Sequence, residues 1–220
     1  KHGILYGDPH NGRLRLLRTR DGGASWQLCE SFWLDERRRA WMGGGNDYPG
    51  MHSVCVDPRD SRHVTVAISC GGVWTTHDAG AKWELIGKGL EAPYTPPDLA
   101  FDPNVQDVHS ISACAAEPDV IWAQHHCGVY RSVDGGVNFT RLPAPMPGDF
   151  GFVIVADPAN PLRAWVVFSG EAELWWLRQH PRALSLQYEA GVSRSEACGH
   201  GRVSPSGSMV PAIGIRVGTR

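Results

Sequence analysis

The sequence predicts an all-β fold assembled from repeated four-stranded units. The first sign is an octet of the form Ser/Thr-x-Asp-x-Gly-x-x-aromatic that occurs three times: TRDGGASW over residues 19–26, THDAGAKW over 76–83 and SVDGGVNF over 132–139. Its aspartates are 57 and 56 residues apart, a constant period that marks one supersecondary unit repeated along the chain. The second sign is the content of each period, four short β-rich segments separated by Gly, Pro and Asp turn signals, as in one blade of a β-propeller. The third is composition: 220 residues that are 42% apolar, with 26 Gly and 16 Pro, suit short strands joined by many turns. The expected architecture is a partial β-propeller of about three four-stranded blades over residues 1–167, followed by a divergent or poorly ordered tail over 168–220.

The octet is turn chemistry. Asp21, Asp78 and Asp134 each offer a carboxylate to backbone N–H groups across a turn, and Gly23, Gly80 and Gly136 supply a positive φ that other residues resist. The opening hydroxyl adds a bond to the same loop, and Trp26, Trp83 and Phe139 are expected to return to the apolar side and anchor the outgoing strand. One carboxylate per turn lacks the several oxygen ligands that calcium takes, so these aspartates read as structural.

The strands follow in order. The first unit holds Ile4 to Tyr6 and Leu14 to Leu17 before its octet. The second is the most complete, with Ser53–Val56, a turn over 57–63, Val64–Ile68, Gly72–Thr75, the octet and Trp83–Ile86. The third repeats that order with Ser110–Ala113, a turn at Glu117–Asp119, Val120–Ala123, Gly128–Arg131, the octet and Phe139–Leu142. A further unit begins with Phe152–Val155 and Ala164–Val167. Where its octet is due, Ser169 to Trp176 has Glu171 and Glu173 in place of Asp and Gly, and Glu173 would resist the left-handed turn. Beyond it strand alternation fades, a short helix is expected over 171–179, and residues 168–220 are expected to lack the blade's last strands.

The octets resemble the Asp-box, or BNR repeat, of sialidases, sortilin-type receptors, some bacterial endoglycanases and photosystem assembly factors, all of them β-propellers. The resemblance covers about residues 1–167 and is broadest toward bacterial sialidase-like BNR-repeat proteins. It implies turns on the outer rim, away from any active site, and a glycoside hydrolase acting on glycans. A non-catalytic propeller that binds or assembles proteins or glycans is the other reading it supports. The Arg-Ile-Pro signature that sialidases carry near their first arginine is missing; Arg141-Leu142-Pro143 follows an octet and stands in the wrong place.

Closed propellers usually need more blades than three, so missing blades or self-association are expected. A formal net charge of −2 without a long basic run argues against nucleic acid or an anionic membrane as partner, and no apolar run reaches the ~18 to 20 residues of a transmembrane helix. Lys1 opens the sequence in place of Met, which suggests a processed product or fragment. Six cysteines without a C-x-x-C pair favour free thiols in a reducing, cytoplasmic setting, although Cys55 with Cys70 and Cys114 with Cys127 could meet on neighbouring strands.

Chemistry is expected in the loops leading into the innermost strands. His52-Ser53 and His109-Ser110 occupy equivalent positions in successive repeats, Asp149 precedes the next innermost strand, and Asp47 sits in a glycine-rich loop beside Tyr48. With His125 and His126 they form a candidate channel mouth for a glycan or protein ligand. Imidazole and carboxylate groups also suit a metal, but adjacent His125 and His126 would face opposite ways on a strand, so at most one of them would join the site, and no metal and no cofactor is assigned. The alternative is that each His satisfies backbone groups where loops become strands. Asp47 and Asp149 are the one pair nominated as catalytic carboxylates, since glycoside hydrolysis needs two carboxyl groups about 5 to 10 Å apart. Trp33, Trp41 and Tyr48 are available to stack on sugar rings, or, for the two tryptophans, to cover blade edges.

Overall fold

A computed structural model of the chain describes residues 3–6, 15–43, 48–143, 150–168, 187–190 and 212–217; at both chain ends the strands are described by their backbone alone. The molecule is an all-β partial propeller of four successive sheets. In the first, β1 (Gly3–Tyr6), β2 (Leu16–Thr19) and β3 (Gln27–Leu28) pair antiparallel in chain order, with the first octet between β2 and β3. The second is a four-stranded meander of β4 (Met51–Val56), β5 (Val64–Ile68), β6 (Gly72–Thr76) and β7 (Glu84–Ile86). The third repeats it with β8 (Val108–Ala113), β9 (Ile121–His125), β10 (Gly128–Ser132) and β11 (Thr140–Arg141).

The fourth sheet starts as the others do, with β12 (Gly151–Ala156) against β13 (Arg163–Phe168), and then departs from the meander. Its third position is taken by β15 (Ala212–Val217), antiparallel to β13, and its outer position by β14 (Gln187–Ala190), parallel to β15. The expectation that residues 168–220 add no strand is therefore corrected at the backbone level. The physical signal is Ile213, Ile215 and Val217, β-branched residues at alternate positions. The helix expected over 171–179 lies outside the described residues.

The core explains why the middle strands are apolar on both faces. Along β5, Val64, Val66 and Ile68 face one way, into a cluster with Leu16, Cys29 and Phe32 of the first unit; Ala67 faces the other, into a cluster with Val108, Ile111, Ile121 and Tyr130 of the third. The strand period of two thus feeds two separate inter-sheet cores, as in a stack of sheets each covered on both sides. In the third sheet Ile121 and Ala123 point back to the second, whereas Trp122 and Val129 point forward to Ile154, Ala164 and Val166. Trp74 and Trp122, both fully buried, fill the centres of these layers.

All three octets make the same bonds. The opening hydroxyl donates to the aspartate (Thr19 to Asp21 at 2.8 Å, Thr76 to Asp78 at 2.8 Å, Ser132 to Asp134 at 2.7 Å) and accepts from the N–H of Gly23, Gly80 or Gly136, at 2.9 Å each time. The aspartate accepts in turn from the N–H four residues on, Ser25, Lys82 or Asn138, at 2.9 Å. Trp83 and Phe139 then bury against the preceding unit. Trp26 does not follow them: it belongs to none of the three clusters, stays 40% exposed and lies over its own turn, its Nε1–H donating to the Gly23 carbonyl at 3.1 Å, whereas Trp83 packs with the first unit's Leu16, Cys29 and Phe32. The five described cysteines, Cys29, Cys55, Cys70, Cys114 and Cys127, are free thiols, so neither pairing raised by the sequence is made.

Candidate functional site

Antiparallel order fixes which loops share an end of the stack. The beginnings of β4, β8 and β12 lie at one end, together with the β5–β6 turn over 69–71 and the β9–β10 turn at His126 and Cys127. The octets join the last two strands of their sheets and lie at the opposite end, where Gly135 N–H donates to the Asp119 carbonyl. The octet carboxylates are thus separated from the first end by the length of a blade.

At the first end each innermost strand carries a bulge at the same register. Met51 and Ser53 pair with consecutive residues of β5, leaving His52 extra; Val108 and Ser110 leave His109; Gly151 and Val153 leave Phe152. A bulge bends the strand and re-aims the extra side chain, so the repeated His-Ser of the sequence is a repeated structural device, with Phe152 as its third member.

The groups converge around Asp107, two residues before the second bulge. Its backbone is pinned between two blades: the Gly72 N–H donates to the Gln106 carbonyl at 3.0 Å and the His126 N–H to the Asp107 carbonyl at 2.9 Å. Buried Gln106 ties the preceding loop by donating to the Ala100 and Asp102 carbonyls. The Asp107 carboxylate is buried, accepts from the Ser69 hydroxyl, and lies 3.3 Å from His109 Nε2 and 3.2 Å from His126 Nδ1. Burial by itself would raise its pKa, but the hydrogen bonds of His109 and Ser69 and the charge of both imidazoles outweigh it and hold the carboxyl at about 2. For His109 burial opposes the charged form, and the bonds to Asp107 and to the Gly151 carbonyl overcome it and raise the imidazole above its usual value.

Aromatic rings surround this polar centre. Phe152 stacks on His109 at 4.7 Å between centroids, Phe150 meets His126 edge-on at 5.0 Å, and Tyr94 meets His126 at 5.2 Å. Tyr94 and Phe152 are about half exposed, so the rings form a rim reachable from solvent. Cys70, in the β5–β6 turn, is a buried non-glycine residue at φ 50°, a conformation that costs energy and concentrates at functional sites. Burial, then the Asp107 charge, push its thiol up to about 11.

The residues nominated from sequence divide sharply. His109 and His126 come together on Asp107. His52 sits at the preceding bulge, where desolvation first and the charge of His109 second hold it below its ordinary pKa although water still reaches the ring. His125 turns into the core beside Tyr130, accepts the Cys127 N–H at 3.0 Å, and is depressed by burial to about 3. Tyr48 is exposed, and Asp47 and Asp149 lie outside the described residues. Trp41 packs on Phe32 and on Trp74 of β6 and so covers a blade, while Trp33 lies under the Arg38 guanidinium at 4.2 Å. Asp107 and Ser69 were not nominated. The Asp-x-His spacing before the second bulge, and the place of Ser69 at the start of the β5–β6 turn, equivalent to the β9–β10 turn that His126 opens, were the signals available.

The fold and this end together define an incomplete β-propeller with a His/Asp centre rimmed by aromatic rings. No protein-family model matches the chain. Among characterised proteins it is similar to the xyloglucanase Xgh74A of Acetivibrio thermocellus, 26% identical over 152 residues, which cover 60% of this chain and 16% of the enzyme. The chain therefore spans about a sixth of the length of that relative. Solved structures that overlap it include an ancestral GH74 enzyme (13% identity, TM-score 0.49, 79% of this chain and 22% of that one) and YCF48 bound to D1 peptide (19% identity, TM-score 0.46, 76% and 43%). The blades described above, and not these overlaps, define the fold.

Proposed function

We propose that this chain is part of a BNR/Asp-box propeller that binds a glycan at the end carrying Asp107, His109 and His126, the complete protein being a glycan hydrolase. The observation that carries the reading is the combination at that end of half-exposed rings, Tyr94 and Phe152, with convergent buried polar groups. Sugars present C–H faces that stack on aromatic rings and hydroxyls that hydrogen-bond, so sites for them pair a few placed polar groups with apolar walls. The similarity to a xyloglucanase supports a β-linked plant-type glycan as the first ligand to try. Asp47 and Asp149 remain the nominated carboxylates for hydrolysis.

Calorimetric titration with xyloglucan oligosaccharides tests the reading. Binding that falls at least about fivefold in Tyr94→Ala and Phe152→Ala variants is expected, from the ~1 kcal/mol or more that an aromatic contact covered by ligand contributes. Absence of binding across a glycan array, with retained binding of a protein partner, would move the chain to the protein-binding class. Asp47→Ala and Asp149→Ala, assayed for turnover in a longer relative, separate hydrolysis from binding.

A further inference from the structure

The groups around Asp107 also have the composition and spacing of a metal-binding set. The Gly151 carbonyl can only accept, so His109 donates Nδ1–H to it, at 2.6 Å. Its Nε2 then faces Asp107 Oδ2 from 3.3 Å, an approach that either a proton on a charged imidazole or a bound cation bridges. His126 brings Nδ1 to the same oxygen at 3.2 Å, and the ligand atoms of all three residues lie within 4.8 Å of one another. Two imidazole nitrogens aimed at one carboxylate oxygen is the arrangement a cation between them would organise.

The distances suit a particular cation. A tetrahedral zinc ion with bonds of about 2.0–2.1 Å holds neighbouring ligand atoms about 3.3 Å apart, which matches both N···O separations. The supporting bonds also fit: ligating histidines donate their second ring N–H to a carbonyl or carboxylate, as His109 does to Gly151, and ligating carboxylates are themselves hydrogen-bonded, as Asp107 is by Ser69. Imidazole with a single carboxylate favours zinc-class metals over calcium or magnesium, which take mainly oxygen. His126 is 44% exposed and supplies both an entry path and a ligand that can adjust.

We propose that Asp107 Oδ2, His109 Nε2 and His126 Nδ1 bind a divalent transition metal of the zinc class, with one coordination position open toward solvent beside Tyr94 and Phe150. Three protein ligands and an open position form a site that can take water or a ligand oxygen. The metal site does not depend on the glycan reading, and metal binding without glycan binding leaves it intact.

The test uses the full chain, stripped with chelator and titrated with Co²⁺ by optical absorption and with Zn²⁺ by calorimetry. One equivalent of Co²⁺ with the intense bands of tetrahedral coordination, bleached by Zn²⁺, is expected. His126→Ala and His109→Gln should lose it, Ser69→Ala should weaken Zn²⁺ about 10- to 100-fold, and His77→Ala, whose ring meets that of His63 at 4.1 Å between centroids, should leave it unchanged. His126 is half exposed, so if His109→Gln fails to fold, the His126→Ala protein, checked by circular dichroism, decides the matter. No saturable binding, or binding that His126→Ala leaves intact, overturns the proposal.

Discussion

Asp57 closes the turn between β4 and β5 by accepting from the Arg59 N–H at 2.8 Å, from the Arg59 guanidinium at 2.7 to 3.2 Å, and from His63 at 3.1 Å. The Arg59 hydrogen bonds, outweighing desolvation, hold its carboxyl well below the ordinary carboxylate range. A folded-state pKa below the unfolded value of about 3.9 means that the stabilisation is complete above that pH and is lost as pH falls through the folded value. Asp57→Asn should therefore lower the melting temperature at pH 7 and flatten the decline between about pH 5 and 2. Parallel melting curves for the two proteins across that window would exclude the role. Arg59 reaches on to Asp119 of the third sheet, so this residue pair also links blades, a contact that local spacing could not reveal.

At the scale of elements, the octet is a local unit whose hydroxyl–aspartate, glycine–hydroxyl and amide–aspartate bonds recur in all three copies. Removing the Asp134 side chain leaves the N–H of Asn138 and the Ser132 hydroxyl without their acceptor. Asp134→Ala is expected to cost about 0.5–1.5 kcal/mol in urea denaturation. Because the octets lie at the end opposite Asp107, the same variant should bind Co²⁺ as the parent does. A stability loss accompanied by altered metal binding would show that the two ends are coupled. The octet was readable because all its partners lie within six residues of one another. The bulges were not, since an extra residue in a strand is defined only against the partner strand that it fails to pair with.

For the whole molecule, the exposed face of the fourth sheet matters most. Ile154, Ala156, Ala164 and Val166 face the third sheet, which leaves Val153, Val155 and Trp165 on the other side, 45%, 50% and 37% exposed. In the earlier sheets the equivalent face is covered by the next blade. An uncovered apolar sheet face invites association, so the 220-residue chain should sediment as concentration-dependent oligomers. Val155→Lys should shift it toward monomer. Sedimentation as a monomer at high concentration, with no change in the variant, would remove this expectation.

The sequence by itself determined the repeat, the four-strand content of the middle units and the structural role of the octet aspartates, because period, turn chemistry and strand propensity are local properties of the chain. It also placed His52 and His109 at equivalent positions. Only the tertiary structure decided that His126 joins His109 while His125 turns to the core, that Asp107 is their common partner, and that β14 and β15 enter the fourth sheet out of order. Those outcomes depend on the pairing of strands from different parts of the chain and on burial between sheets. Asp107 shows the difference most clearly: its Ser69 partner stands 38 residues away, on the turn of another blade.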